Sequence, residues 1–408
     1  MVAAGASTAA LVALVCTNPG TFWRQTDAAV YRGAGASLWA HDGNLYTTLF
    51  GPARLPFTYP PFAAVVFSAG SHLPFLGWQY LLAVADIGLL LFAATGALRL
   101  SGSSAVFSRA LLATAVCLWL EPIDQTFNFG QINLLIVALV VLDLSGCTRG
   151  RWRGIGVGVA AGIKLTALIF VPYLWLTGRR REAYGCLGFF LATVVLGAVL
   201  RPEDSARFWS DKVFKAGNDQ TRVQNQSIAA FLRRLPPHGS GVEPAWFACA
   251  LLVGVAGMAV AVRAHQAGLK LTGLAACAGT GLAISPLSWT HHYVYIILVI
   301  SLAFSNELPK RARVALGLTA SLLFAWWPWP NGNNWSGLKF HVSGLLRLVP
   351  YGSGRELHWN LLQTVAGNYY LWCVLAFLVV AHRMTSNSRD RQKQAGERPS
   401  AVGTKSEA

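Results

Sequence analysis

The chain has 408 residues, 54% of them hydrophobic and 12% charged, with a mean hydropathy of +0.45; soluble domains carry about 25% charged residues, so the composition argues against a water-soluble globular fold. A net charge of +16 would suggest nucleic acid as the partner of a soluble protein, but in a membrane chain basic residues mark cytoplasmic loops, and no nucleic acid is expected. With no CxxC or HExxH spacing among the seven cysteines and nine histidines, neither a disulfide framework nor a metal site is expected.

Apolar runs of spanning length predict full membrane helices near 2–18, 78–98, 106–120, 131–146, 183–200, 245–264, 269–287, 291–305, 313–328 and 368–382. The first lacks a basic leader and reads as an uncleaved span. Two stretches fit less simply. Residues 59–75 are apolar but interrupted by Pro60, Pro61, Ser71, His72 and Pro74, and 154–176 is flanked on both sides by arginine triplets. If 59–75 dips into the outer leaflet and returns, and 154–176 is a re-entrant hairpin from the cytoplasmic side, every short basic loop falls inside. More than half of the 33 Lys and Arg are then cytoplasmic. Non-helical backbone at membrane depth must be covered by protein or line a wet cavity, so both segments also predict a cavity. This topology puts 19–77, 121–130, 201–244, 288–290 and 329–367 on the outer face. The expected organisation is one membrane domain, 1–383, whose first outer loop is 19–77, followed by a polar cytoplasmic tail, 384–408, expected to be disordered.

Several residues stand out as chemistry. Asp27 opens a short amphipathic pattern (Val30, Tyr31, Ala34, Leu38); it is either the N-cap of a juxtamembrane helix or a general base acting on a hydroxyl. Gln131 and Asn133, after Glu121-Pro122 and Gly130, either bind sugar hydroxyls or cap a helix. Lys164 falls inside the hairpin, where a charge is costly and is by default a functional candidate; it either neutralises a phosphate or pairs with Asp86 or Asp143. Asn225-Gln226-Ser227 spells a glycosylation sequon, with substrate-binding and structural roles also open. Lys212, Lys215, Arg222, Arg233 and Arg234 around it form a cationic loop that is either a solvated face or a lure for anionic lipid. His291-His292 sits at a membrane boundary after a proline break, with an imidazole suited to a lipid phosphate and Trp289 and Tyr293 as interfacial anchors.

In order along the chain, these motifs resemble those of glycosyltransferase family 87, the actinobacterial polyprenol-phosphate-mannose-dependent α-1,2-mannosyltransferases that act on phosphatidylinositol mannosides. The matching pieces are Asp27-x-x-Val30-Tyr31, Phe57-Thr58-Tyr59-Pro60-Pro61-Phe62, Glu121-Pro122, Thr126-Phe127 with Gly130-Gln131-Ile132-Asn133, Gly162-Ile163-Lys164-Leu165-Thr166, Asn225-Gln226-Ser227, and Ser285-Pro286 with Ser288-Trp289-Thr290-His291-His292. Beyond about residue 305 only the hydrophobicity matches. In many relatives a proline follows the Lys-Leu-Thr triplet; here it is Ala167.

The resemblance implies an all-α polytopic C-type (GT-C) glycosyltransferase fold of 10–12 transmembrane helices: about ten full spans plus the re-entrant hairpin and juxtamembrane helices. It implies inverting transfer of mannose from a polyprenyl-phosphate donor to a mannosylated lipid (phosphatidylinositol mannoside or lipomannan) on the extracytoplasmic side of the plasma membrane, with membrane lipids around it. Asp27 becomes the base, and His292, His291 and Lys164 face the donor phosphate. Tyr31, Tyr59, Glu121, Gln131, Asn133, Asn225, Gln226 and Trp289 are the candidate substrate contacts. No cofactor is implied. The rivals are the same fold with another polyprenyl-phosphate sugar, such as arabinofuranose, and a lipid flippase or transporter, against which the lack of two symmetric halves argues.

Overall fold

The computed structural model describes residues 24–39, 44–215, 220–236, 242–330 and 340–396, together with Gly5; the expected first span, 2–18, lies outside them. Among the described residues the regular structure is helical apart from two small hairpins. Helix α1 (Thr26–Ser37) leads through β1 (Leu49–Phe50) and β2 (Leu55–Pro56) to α2 (Pro61–Ser71), α3 (Phe75–Leu100) and α4 (Val106–Cys117). Then come α5 (Glu121–Phe129), α6 (Asn133–Leu144), α7 (Ile155–Ile163), α8 (Phe170–Leu176), α9 (Arg180–Leu200), α10 (Pro202–Ser210) and α11 (Ile228–Arg234). The rest is α12 (Val242–Gln266), α13 (Lys270–Ile284), α14 (Ile296–Ala303), α15 (Lys310–Phe324), the hairpin of β3 (Trp327–Pro330) with β4 (Phe340–Ser343), α16 (Leu361–Ala366) and α17 (Tyr369–Gly396). The last helix runs beyond Arg383 over the first part of the segment expected to be disordered; 397–408 lie outside the described residues.

Among the described residues four helices are long and apolar enough to cross a bilayer: α3, α9, α12 and the Tyr369–Ser386 part of α17. The expected spans at 106–120, 131–146, 269–287, 291–305 and 313–328 fold as shorter helices, of 8–15 residues. α9 and α12 bury little of their surface, and Leu191, Val195, Leu251, Leu252 and Val255 point outward, as helices apolar on every side do in lipid. Inside, the close contacts are made by small residues: Ala93, Ala97, Ala160, Ala161 and Ala276 are fully buried. α12 pairs with α13, and α7 lies between α6 and α9.

Of the two less regular stretches, the first forms one uninterrupted helix and the second is broken. In the first, Pro61 starts α2 where a missing N–H costs nothing, and α2 packs along α1. In the second, α7 stops at Lys164, whose backbone is extended (φ −146°, ψ 111°), and the chain resumes as a 3-10 turn over Leu165–Ile169.

The loops bond one another in two groups. At one end of the bundle Asp204 accepts from the Leu45 N–H (3.0 Å), Glu356 accepts from the Val223 N–H (3.2 Å), and Gln226 donates to the Gly367 carbonyl (2.7 Å). At the other end Arg179 donates to the Asp143 carbonyl (2.8 Å), Glu307 accepts from the N–H of Leu271 (2.7 Å), and Arg109 donates to the Phe304 carbonyl (3.1 Å).

Candidate active site

The site begins where α1 docks on the end of α5. The Gln25 N–H donates to the Asn128 carbonyl and its side-chain amide donates to the Phe127 carbonyl, each at 2.6 Å. Gly130 ends α5 in the left-handed region (φ +67°), and a Cβ there would lie 2.6 Å from the Ala28 methyl; both the turn and the close approach require glycine. The chain then bends by 118° into α6, which brings Gln131 and Asn133 beneath α1.

Gln25, not Asp27, occupies the N-cap position of α1, and it makes no side-chain cap there. Asp27 lies in the first turn and accepts a hydrogen bond from the side-chain amide of Gln131, which removes the capping alternative. Burial pushes its carboxyl up from 3.8 to about 6, against the opposing pull of the Gln131 hydrogen bond and the Lys164 ammonium. The Gln131 carbonyl oxygen receives the Tyr31 hydroxyl at 2.9 Å, the Asn133 amide at 3.3 Å and the Tyr59 hydroxyl at 3.4 Å. The two tyrosine oxygens are 2.8 Å apart.

Asn133 extends the network. It donates to the His291 carbonyl (2.8 Å) and accepts from Lys164 Nζ (2.9 Å). The Lys164 ammonium also lies 5.7 Å from the centre of the Tyr59 ring. It pairs with neither acid considered from the sequence. Asp143 is taken by Thr148 and the Val157 N–H, each at 2.7 Å, and Asp86 keeps a buried oxygen with no hydrogen-bond partner among the described residues. The helix break at Lys164 explains the difference, because an extended residue turns its side chain off the α7 axis.

Beside this network lies a small crevice with a cavity volume of about 30 Å³. Its lining is polar at Asn133, Lys164, Thr166, Ser285, Ser288 and His292 and apolar at Ile136, Ile169, Phe170, Leu282 and Val294. His292 lines the crevice; the His291 ring packs against Phe129 (centroids 5.4 Å apart) and Trp289 (6.5 Å). Such a space suits a group with an anionic head and an apolar tail. Thr166, Ser285 and Ser288 belong to the recognised motifs, yet nothing in their spacing marks them as lining residues. Among the described residues no three His, Cys, Asp or Glu side chains cluster as metal ligands.

The remaining candidates lie elsewhere. Glu121 is buried and bonds the Tyr370 hydroxyl and Thr290. Asn225 and Gln226 are wholly buried. Asn225 accepts from the Ser288 N–H (2.9 Å), and Gln226 donates to Val223 and Gly367 and accepts from the Tyr370 N–H (3.2 Å). Here both residues clamp the 220–227 loop to the Ser285–Trp289 turn, and a buried Asn225 is closed to glycosylation. Tyr293, expected as an interfacial anchor, is buried and donates to the Gln226 carbonyl (2.6 Å). The cationic loop is also altered. Arg234 is a buried hub donating to the carbonyls of Thr221 (3.1 Å), Asn225 (2.5 Å) and Arg222 and to the Asn368 side chain (2.5 Å), and Arg233 pairs with Glu243 at 3.3 Å. A basic run does not announce a buried arginine, so Arg234 is missed by pattern alone.

The profile of glycosyltransferase family 87 matches residues 57–286. A polyprenol-phosphate-mannose-dependent alpha-(1-2)-phosphatidylinositol mannoside mannosyltransferase of Mycobacterium tuberculosis is 31% identical over 382 residues, covering 87% of this chain and 84% of the relative. A phosphatidylinositol pentamannoside mannosyltransferase of the same species, likewise polyprenol-phosphate-mannose-dependent and alpha-(1-2), is 35% identical over 286 residues, covering 66% of this chain and 64% of the relative. Among solved structures, ArnT from Cupriavidus metallidurans bound to undecaprenyl phosphate aligns with 96% of this chain and 79% of its own at 14% identity, with a TM-score of 0.38.

Proposed function

Because the chain belongs to glycosyltransferase family 87, we propose that it transfers mannose, with inversion, from a polyprenyl-phosphate-mannose donor to the 2-hydroxyl of a mannosylated phosphatidylinositol lipid. The reaction takes place on the extracytoplasmic face of the plasma membrane and leaves an α-1,2 linkage. That the chain is a membrane-embedded glycosyltransferase follows from the family; donor sugar, linkage, acceptor and sidedness are the proposal, drawn from the names of the relatives and the charge bias of the loops.

One observation carries the mechanism. A lysine from the α7 break and an imidazole from the 285–292 turn line one crevice, and a carboxylate from α1 is tied to that lining through Gln131 and Asn133. The donor lies with its prenyl chain along the apolar lining and its phosphate toward Lys164 and His292, with the Ser285 and Ser288 hydroxyls nearby. Asp27 takes the proton of the acceptor hydroxyl as that oxygen attacks the anomeric carbon from the face opposite the phosphate. A carboxyl held near 6 is ionised at neutral pH, yet basic enough to accept the proton as the bond forms. The departing lipid phosphate carries its charge into a site where a fixed cation stabilises it without reorganisation.

The test is turnover of labelled polyprenyl-phosphate-mannose by purified protein in nanodiscs with a phosphatidylinositol mannoside acceptor. Asp27→Ala is expected to lose at least about a hundredfold in kcat while still binding donor, and His292→Ala to raise the donor KM. Near-normal turnover by Asp27→Ala removes the base; product formation from another sugar phosphate and none from mannose removes the donor.

A further inference from the structure

Gln131 is a candidate sugar ligand by sequence, but its surroundings give it another task. Its carbonyl oxygen already meets three donors, from Tyr31, Tyr59 and Asn133, and the side chain is 5% exposed. Rotating the amide by half a turn would set its NH₂ against the Asn133 NH₂ and its oxygen against the Asp27 carboxylate. The orientation is therefore fixed, with the N–H aimed at Asp27. The backbone is fixed too: the Gln131 N–H donates to the Thr126 carbonyl at 2.9 Å, directly after the left-handed Gly130.

We propose that Gln131 is a positioning residue: it ties one oxygen of Asp27, leaves the other for the acceptor hydroxyl, and through Asn133 keeps the base in register with Lys164 and the donor phosphate. This rests on the reading of Asp27 as the base. The groups facing Asp27 are Tyr31 on its own helix, Tyr59 from the segment before α2, Gln131 at the start of α6 and Lys164 at the α7 break. Of these, Gln131 and Lys164 favour the charged carboxylate. Taking away the Gln131 N–H therefore makes Asp27 harder to ionise and moves the acid limb of the rate profile upward.

The experiment is kcat and KM against pH, from 5 to 9, for the wild type, Gln131→Met, Gln131→Glu and Tyr59→Phe in nanodiscs, with polyprenyl-phosphate-mannose and a phosphatidylinositol mannoside. The wild-type acid limb is expected near 6. A hydrogen bond to a charged group is worth enough to move the limb of Gln131→Met up by about one pH unit, with most of kcat regained above that limb and both KM values within about twofold of wild type. Gln131→Glu keeps an acceptor for Tyr31, Tyr59 and Asn133 but sets a second carboxyl beside Asp27, so its limb moves further. Tyr59→Phe only loosens the amide; it shifts the limb the same way by less, and it carries the test if Gln131→Met does not fold. An unmoved limb in the variants that fold overturns the proposal, as does a tenfold rise in acceptor KM without a shift, the mark of a substrate contact. Asp27→Asn run alongside separates the two claims. If it stays active, the base reading has failed; if it is inactive while the limbs stay put, only the positioning role has.

Discussion

Replacing Asp27 by asparagine should stabilise the protein while stopping its reaction. The folded state raises this carboxyl from 3.8 to about 6, so it holds the proton more tightly than the unfolded chain does. Below about pH 4 both states are protonated and the residue costs nothing. As pH rises toward 6 the unfolded chain gives up its proton first, and stability falls across that window; above it the full cost remains. A rise of that size corresponds to about 3 kcal/mol. Water reaching a side chain of intermediate exposure reduces this to about 2 kcal/mol. Asparagine keeps an oxygen for the Gln131 N–H and carries no charge. In a chain of this size the gain should appear as a rise of roughly 2–4 °C in the unfolding midpoint at pH 8, shrinking between pH 6 and 4 and gone below about 4. Tryptophan-fluorescence melts in detergent across that pH series measure it, alongside a turnover assay expected to show at least about a hundredfold loss. An Asp27→Asn protein less stable than wild type at pH 8, or a stability gap that ignores pH, would show that the carboxylate is not held at a net cost and would refute the reasoning.

Lys164→Met should leave the crevice without its cation, raising the donor KM at least about tenfold in a donor titration while the acceptor KM changes little. Arg234→Met removes the donor to three carbonyls of the 220–236 region and to the Asn368 side chain; it should cost about 3–5 kcal/mol, read as a lower melting midpoint and faster proteolysis, with the pH profile of the remaining folded enzyme unchanged. Gly130→Ala places a methyl against Ala28 in a left-handed turn; about 1–3 kcal/mol of strain should lower the melting midpoint and reduce kcat more than it raises either KM, because Gln131 follows directly.

Much of the fold is legible in the chain because lipid and core are both apolar and helices announce themselves by long runs. The 75–100, 180–200 and 242–266 helices fall where such runs lie, α2 begins at Pro61, and the 154–176 stretch breaks at Lys164. Ordered motifs also led to the residues that meet at the crevice. Polar pairing was another matter. Gln131 bonds a carboxylate 104 positions away and Glu121 a hydroxyl 249 away, and no periodicity encodes such partners. Lys164 had two acids within reach of reasoning and took neither. Arg234 reads as one more surface charge until the 220–227 loop is folded around it.

Gln131, Asn133, Lys164 and His292 sit at interruptions of helices, and the coincidence has a physical cause. Each break frees backbone donors and acceptors that cannot be left bare at membrane depth. The groups that satisfy them are the motif residues themselves. The Gln25 amide meets the Phe127 carbonyl at the end of α5, Asn133 meets the His291 carbonyl, and Asn225 meets the Ser288 N–H. The same side chains then aim inward: Asn133 presents its oxygen to Lys164, and Gln131, fixed by the turn at Gly130, presents its amide to Asp27. A polar reaction centre inside an apolar bundle needs backbone that is not helical, and non-helical backbone there needs polar side chains. One set of residues meets both demands, so a change that restores a regular helix at any of these breaks should disable catalysis even where it adds to stability.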